Sequence, residues 1–369
     1  MSTVKKIKMA EISLSTTEIE RATAVLKSGA LRQGKECELF EKEFAEKVGA
    51  RHAITCANGS ASLHLAYMTF LKPGDEVLVP SFTFMATGSM VTMAGGKPIV
   101  CDVDPNNFLI NLDDAANRIT DKTVAISPVH LFGNVCDVDS IQNFAKKYKL
   151  KVIWDNAQAH GAQYAGKDVG CFNDYTSYSF YPSKNMFVGE GGMILTNDDD
   201  AAYKLRFMRT HGQTGKYYHT MLGLNYRMTD IEAAIGREQL KRLDEMLAIR
   251  TKNYNYYNKH LANIAGLIPQ KSLPNTKHAV HQYCLRVDPS LAGVTRDQLV
   301  QSLNSKGIET GIHYPRGLHQ QPIFIELYGE QNLPVTEMLT RQIFAIPVHH
   351  GLTYEDIDYI TQAVKTSLA

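Results

Sequence analysis

No run of the 369 residues reaches the ~18 consecutive apolar positions that a membrane-crossing helix requires. The amino-terminal MSTVKKIKMAEISLS has two lysine patches and no apolar stretch of the kind a secretory leader carries, so a soluble cytoplasmic protein is expected, with no membrane partner. Cysteine is sparse. Cys37, Cys56, Cys101, Cys136, Cys171 and Cys284 are scattered without any C-x-x-C pair, which argues against a disulfide framework and against a zinc site or other metal centre. Charge of one sign is lacking too: 39 Lys and Arg stand against 38 Asp and Glu, with no long block of either. That balance offers no basic footprint for nucleic acid or an anionic membrane, and leaves small molecules as the expected partners.

What is present is length and rhythm. The chain is long enough for two structural domains, or one large fold with a lobe attached. Ser15-Thr16-Thr17-Glu18 has capping-box spacing, and the apolar positions that follow predict a helix over about 15–28; a second is expected from Glu36 to Val48. Short β-branched runs then alternate with helix-like stretches: AITCA from 53, EVLVP from 76, PIVCDV from 98, TVAISPV from 123 and KVIWD from 151. Such alternation predicts crossover connections and a mainly parallel sheet. YTSYSF (175–180) and GMILT (192–196) add two strands around a glycine-rich connection, and a long helix begins near Thr229. From about residue 250 the pattern changes to a smaller α+β arrangement, with a strand at QYCLRV and helices near 295–306 and 353–368.

In an open parallel α/β sheet, ligands collect outside the carboxyl ends of the strands. AITCA runs into Asn58-Gly59-Ser60-Ala61 and a helix, which reads either as an ordinary capped turn or as backbone N–H groups and a helix dipole offered to a phosphate. KVIWD ends at Asp155, either a helix cap or a carboxylate costly to bury without a cationic or protonated partner; His160 is equally open to both kinds of reading. In SFYPSKNMFVGEGG, Lys184 follows Ser179 by five residues and precedes Gly189. It is either a solvated loop lysine or a semi-buried amine able to lose its proton and attack a carbonyl, with Ser179 and Ser183 as phosphate donors. An aspartate at one strand end and a lysine on the next connection together match what pyridoxal phosphate needs.

The segments NGSASLHLA, PSFTFMAT, PVHLFGN, DNAQAHGA, SFYPSKNMFVGEGG and LNYRMTDIEAAIGREQLKRLD, followed by HYPRGLHQQPIF and IPVHHGLTYEDIDYI, resemble the DegT/DnrJ/EryC1/StrS family of sugar aminotransferases, in family order over essentially the whole chain. The resemblance implies an α/β fold of the fold-type I, aspartate aminotransferase-like class. Residues 1–250 would form a large pyridoxal-phosphate domain with a mainly parallel seven-stranded sheet and the amino-terminal helices, and 251–369 a smaller α+β domain. It implies a homodimer with shared active sites. Residue by residue, Lys184 matches the lysine that carries pyridoxal 5′-phosphate as an imine, Asp155 the carboxylate facing the pyridine nitrogen, Gln158 the side chain near the ring hydroxyl, and Phe84 the stacked aromatic. Gly59, Ser60 and Ala61 with Ser179 match the phosphate cradle, and Asn225 an asparagine reaching from the partner subunit. His313, Tyr314 and Arg32 are candidate sugar contacts. The chain departs from the pattern at Asn58 (usually serine), at Leu224 (often aromatic) and at Asn156 (usually small and apolar), and Asn156 is expected close to the ring.

The activity so implied is a ping-pong transamination. An amino acid, glutamate or glutamine, passes its amino group to the cofactor, leaving pyridoxamine phosphate as the intermediate; that amine then passes to a keto group of a nucleotide-linked sugar, such as C4 of a 4-keto-6-deoxyhexose. Family members that dehydrate sugars carry histidine where Lys184 stands, so the lysine favours amino transfer. The alternatives are an aminotransferase acting on a ketocyclitol and a non-catalytic sensor or regulator on the same fold.

Overall fold

The computed structural model describes residues 5–172 and 174–368. Part of the lysine-bearing amino terminus, Asn173 and Ala369 lie outside the described residues. Seven strands form the main sheet: β1 (His52–Cys56), β2 (Glu76–Pro80), β3 (Lys97–Cys101), β4 (Thr123–Ile126), β5 (Lys151–Asp155), β6 (Tyr175–Ser179) and β7 (Gly192–Thr196). Their spatial order is β1-β7-β6-β5-β4-β2-β3. Strand β7 runs antiparallel to both neighbours, and the remaining adjacent pairs are parallel. The class is the expected α/β fold type I.

Near-continuous apolar strands are what a sheet covered on both faces requires. On β5, Val152 and Trp154 enter one apolar core with Phe82, Phe108 and Phe132, while Ile153 enters the core on the opposite face with Leu65, Val79 and Phe324. A third core packs helix Lys35–Val48, through Phe40 and Phe44, against Tyr178, Phe180 and Leu195 at the sheet's edge. The amino-terminal helix runs Thr16–Ser28 with the expected capping box between Ser15 and Glu18.

Helix Asp230–Leu261 begins with a capping box of Thr229 and Glu232 and continues unbroken for 32 residues. Its first half buries Leu240, Leu243 and Leu247 against the large-domain core, and its second half buries Tyr257 and Leu261 in the carboxy-terminal core. The expected division between 250 and 251 therefore falls inside one continuous helix. The amino terminus is placed at the other end of the chain. Ile7 exchanges backbone hydrogen bonds with the 307–309 segment, at 2.9 Å each, and is buried in the carboxy-terminal core, so this part of the 1–250 unit belongs with the smaller lobe. That lobe is built on strands Leu267–Pro269, Tyr283–Val287 and Ile343–Ile346, covered by helices Arg296–Ser305 and Tyr354–Leu368. Among the described residues no helix is long and apolar enough to cross a membrane, and no cluster of His, Cys, Asp or Glu is placed to hold a metal ion.

Candidate active site

Asp155 closes β5 and is 5% exposed. Its Oδ1 accepts from the Ala157 N–H at 3.1 Å and its Oδ2 from the Thr87 hydroxyl at 2.8 Å. Burial raises its pKa; these two donors and the charge of Lys184 oppose the rise. Lys184 sits half-buried in the turn after β6, its N–H bonded to the Tyr181 carbonyl at 2.9 Å. Desolvation pushes its amine down to about 8, against the pull of Asp155 toward the charged form. The chain thus holds near neutrality an amine that at the surface would stay protonated, beside a buried carboxylate with no ion-pair partner among the described residues.

The turn after β1 meets the end of β6. Helix Gly59–Met68 starts there, and its first-turn N–H groups and dipole suit an anion. Gly59 is pressed so close to Ser179 that a Cβ would lie 2.7 Å from the serine Cβ, and Gly192 lies under the same turn with room for no side chain. Ser60 is half-buried and Ser179 buried, with the Ser179 Oγ at 3.4 Å from the Tyr181 N–H. Ala61 differs from its expected role in one respect: its N–H already donates to the Asn58 side chain at 2.8 Å. Asparagine reaches this amide as an N-cap, which leaves the Gly59 and Ser60 N–H groups and the Ser179 hydroxyl at this turn.

Gln158 is clamped at both ends. Its Oε1 accepts from the Phe132 N–H at 2.5 Å, and its Nε2 donates to the Tyr314 hydroxyl at 3.2 Å. Phe84, 57% exposed, ends the connection from β2, with its ring 6.2 Å from that of Tyr314. His313 is half-buried with Nδ1 unpartnered, and burial and then the charge of Lys184 hold its pKa down. Lys184, Asp155, Gln158, His313 and Tyr314 therefore converge. Arg32 and Asn225 are not brought to them within one chain: both are exposed. Asn225 bridges Thr210 through its backbone, and the next residue ties this segment to the β1 turn through Ala57 N–H to Tyr226 O at 2.8 Å.

Asn156 departs from expectation. Successive strand residues face opposite sides, and its side chain turns into the core, donating to the Tyr178 hydroxyl at 3.1 Å. Two groups went unread in the sequence. Thr87 lies within the quoted PSFTFMAT motif, three residues after Phe84, which was the available signal. The other is the Ala279–His281 loop, held by Asn185 Nδ2 on the Ala279 carbonyl at 2.6 Å and by buried Arg250 on the Val280 carbonyl at 3.2 Å, two contacts distant in sequence. A cleft of about 380 Å³ lined by Gln142, Lys146, Val152, Trp154 and Asp174 contains none of the site residues.

The model of the DegT/DnrJ/EryC1/StrS aminotransferase family matches residues 13–365. GDP-perosamine synthase of Caulobacter vibrioides is 40% identical over 334 residues, 89% of either chain. Among solved structures, DesV of S. venezuelae in complex with a ketimine intermediate superposes with a TM-score of 0.91 at 31% identity, over 95% of this chain and 94% of that one. The sugar aminotransferase Spr1654 of Streptococcus pneumoniae, described as putative and solved in a PLP form, gives a TM-score of 0.91 at 26% identity over 99% of both chains.

Proposed function

The chain belongs to the DegT/DnrJ/EryC1/StrS aminotransferase family, and from that premise we propose that this sugar aminotransferase moves an amino group from glutamate or glutamine to the keto group of a nucleotide-linked sugar. The proposed acceptor position is C4 of a 4-keto-6-deoxyhexose, supported by the LNYRMT segment and by the name of the Caulobacter relative.

The observation that carries the reading is the pairing of a lysine depressed to about 8 with a buried carboxylate that forms no ion pair among the described residues. Pyridoxal phosphate fits this set: Asp155 is an acceptor for a protonated ring nitrogen, Lys184 an amine for the aldehyde, and the Gly59 turn a cradle too tight for any side chain. The chemistry supplied when it is bound is an aldehyde that takes up the amino group and a ring that accepts the electron pair left by a departing proton. Lys184 Nζ, uncharged in part at neutral pH, would take the proton from the donor's α-carbon and hand it to the cofactor carbon that bears the transferred nitrogen, and would run the same transfer in reverse with the sugar. Asp155 holds a proton on the ring nitrogen. Gly59 and Ser60 N–H groups with the Ser179 hydroxyl hold the phosphate, Phe84 covers one ring face, and Gln158 fixes the ring's edge while bonded to Tyr314. His313, Tyr314 and Arg32 are proposed to meet the sugar, and Asn225 to complete the site of a second copy in a homodimer.

The test is direct. Purified protein given pyridoxal phosphate should turn yellow, lose the colour on adding glutamate, release one equivalent of 2-oxoglutarate per site, and regain the colour with a nucleotide-linked 4-ketosugar. Protein that stays colourless after pyridoxal phosphate overturns the reading.

A further inference from the structure

Behind Asp155 lies a run of hydroxyl groups that the roles above do not use. Thr83 and Thr87, 3% and 0% exposed, flank Phe84 in sequence; Thr87 lies in the first turn of helix Met85–Met93, for which Phe84 is the N-cap. The Thr87 Oγ1 donates to Asp155 Oδ2 at 2.8 Å, and the Thr83 Oγ1 lies 3.0 Å from the Thr87 Oγ1. A hydroxyl carries one proton, and that of Thr87 is given to Asp155, so the proton between the threonines belongs to Thr83. The chain is directed Thr83 to Thr87 to Asp155, each bond polarising the next. A threonine within a helix ordinarily turns its hydroxyl back on the preceding turn's carbonyl; this one is spent on the carboxylate.

We propose that Thr87 is a positioning residue of the transamination, its hydroxyl, supported by Thr83, fixing the orientation of the Asp155 carboxylate and keeping it ionised inside the core. This rests on the proposed role of Asp155 toward the cofactor's ring nitrogen. Asp155 has two hydrogen-bond donors, the Ala157 N–H and the Thr87 hydroxyl. Of the charged and titratable groups around it, Lys184 favours the ionised form, and the phenols of Tyr67 and Tyr314 feel its negative charge. Tyr67 is itself committed to the Ser127 hydroxyl at 2.8 Å and does not replace Thr87. Among the described residues these are the two donors to its carboxylate and it forms no ion pair, so loss of one donor falls directly on the balance between burial and ionisation. Because Phe84 and Thr87 share a helix end, the contact also fixes the ring-covering aromatic relative to the carboxylate.

The measurement is a ¹³C-carboxyl NMR titration of cofactor-free protein, with the Asp155 signal assigned by its loss in Asp155→Asn. Thr87→Val, which keeps shape and removes the hydroxyl, should raise the Asp155 midpoint by about one unit or more, since a hydrogen bond to a charged group is worth that much. Thr87→Ser should titrate as the wild type, and Thr83→Val should give a smaller rise. In the loaded enzyme, Thr87→Val should bind pyridoxal phosphate roughly tenfold more weakly. A Thr87→Val titration that superposes on the wild type overturns the proposal; if valine prevents folding, Thr87→Ala and Thr83→Val are read in its place. The carboxyl titration needs no cofactor. A wild type that takes up no pyridoxal phosphate therefore defeats the functional reading, whereas one that does so with unmoved Thr87 variants defeats this inference alone.

Discussion

Gly59 and Ser179 touch across the carboxyl ends of β1 and β6: a Cβ on Gly59 would stand 2.7 Å from the serine Cβ and 3.3 Å from its Cα. The two strands are not neighbours in the sheet. Antiparallel β7 lies between them, and its first residue, Gly192, supplies the space, because a Cβ there would fall 2.3 Å from the Asn58 carbonyl oxygen. Two glycines distant in sequence thus let a helix start and a serine hydroxyl approach each other closely.

Alanine at either position should disturb this approach, and Gly192→Ala more severely. At Gly59 the obstruction includes a short side chain, whereas at Gly192 it is the backbone of Asn58 and Gly59 itself. Overpacking of this kind costs about 1–3 kcal/mol, and here it shifts the groups proposed to hold the phosphate. Dissociation constants for pyridoxal phosphate, measured by absorbance, should rise about tenfold for Gly59→Ala and further for Gly192→Ala. Unchanged affinity in Gly192→Ala would remove the turn from the cofactor site.

The depressed amine gives a pH prediction with a definite sign. Only uncharged Lys184 attacks the aldehyde, so the rate of loading apo-protein with pyridoxal phosphate should rise with pH, reach half its limit near 8, and level off above it. Asp155 raises the lysine's pKa, so Asp155→Asn should move that midpoint to lower pH even while it weakens binding. Lys184→Ala should keep the fold and lose turnover by a factor on the order of 10³ or more. Stopped-flow absorbance across pH 6–10 checks the first two, and a midpoint above 10 would mean that the lysine is solvated.

Strand and helix positions were readable because local chemistry decides them: β-branched runs for the sheet, and Ser15 with Glu18 and Thr229 with Glu232 for helix starts. Lys184 and Asp155 were readable because each follows a strand end. What escaped depends on tertiary approach. Nothing near Ile7 announces that it pairs with Ile308. Asn58 was noted as a departure, yet its capture of the Ala61 amide requires the turn's actual geometry. Asn156 adjoins Asp155 in the chain, yet only the folded structure shows its side chain spent on the Tyr178 hydroxyl.

Helix Lys35–Val48 provides a stability test of such a long-range contact. Its N-cap, Gly34, has no side chain, and Asp230 substitutes for one: the carboxylate accepts from Gly34 and Cys37 N–H groups at 2.7 and 3.1 Å and from Glu36 N–H at 3.3 Å. Asp230→Ala strands these donors and should cost about 1–3 kcal/mol, lowering the melting temperature by a few degrees. Asp230→Asn, which keeps one acceptor oxygen, should lose less. Equal melting temperatures for all three proteins in calorimetry would show the cap to be energetically idle.

The roles proposed for Gln158 and Tyr314 separate the two halves of the proposed reaction. The Phe132 N–H donates to the Gln158 oxygen at 2.5 Å, and the Gln158 amide nitrogen donates to the Tyr314 hydroxyl at 3.2 Å. Tyr314→Phe removes that hydroxyl while keeping the ring that packs near Phe82 and Phe84. The glutamate half-reaction does not involve the sugar, so its rate should fall no more than a few-fold. The sugar half-reaction should lose about tenfold in kcat/KM, the worth of one hydrogen bond to substrate. Gln158→Ala should instead slow both halves, because the cofactor's edge is then unsupported whichever substrate is present. Single-turnover measurements of each half-reaction distinguish these patterns, and equal losses in both halves for Tyr314→Phe would place the tyrosine with the cofactor rather than with the sugar.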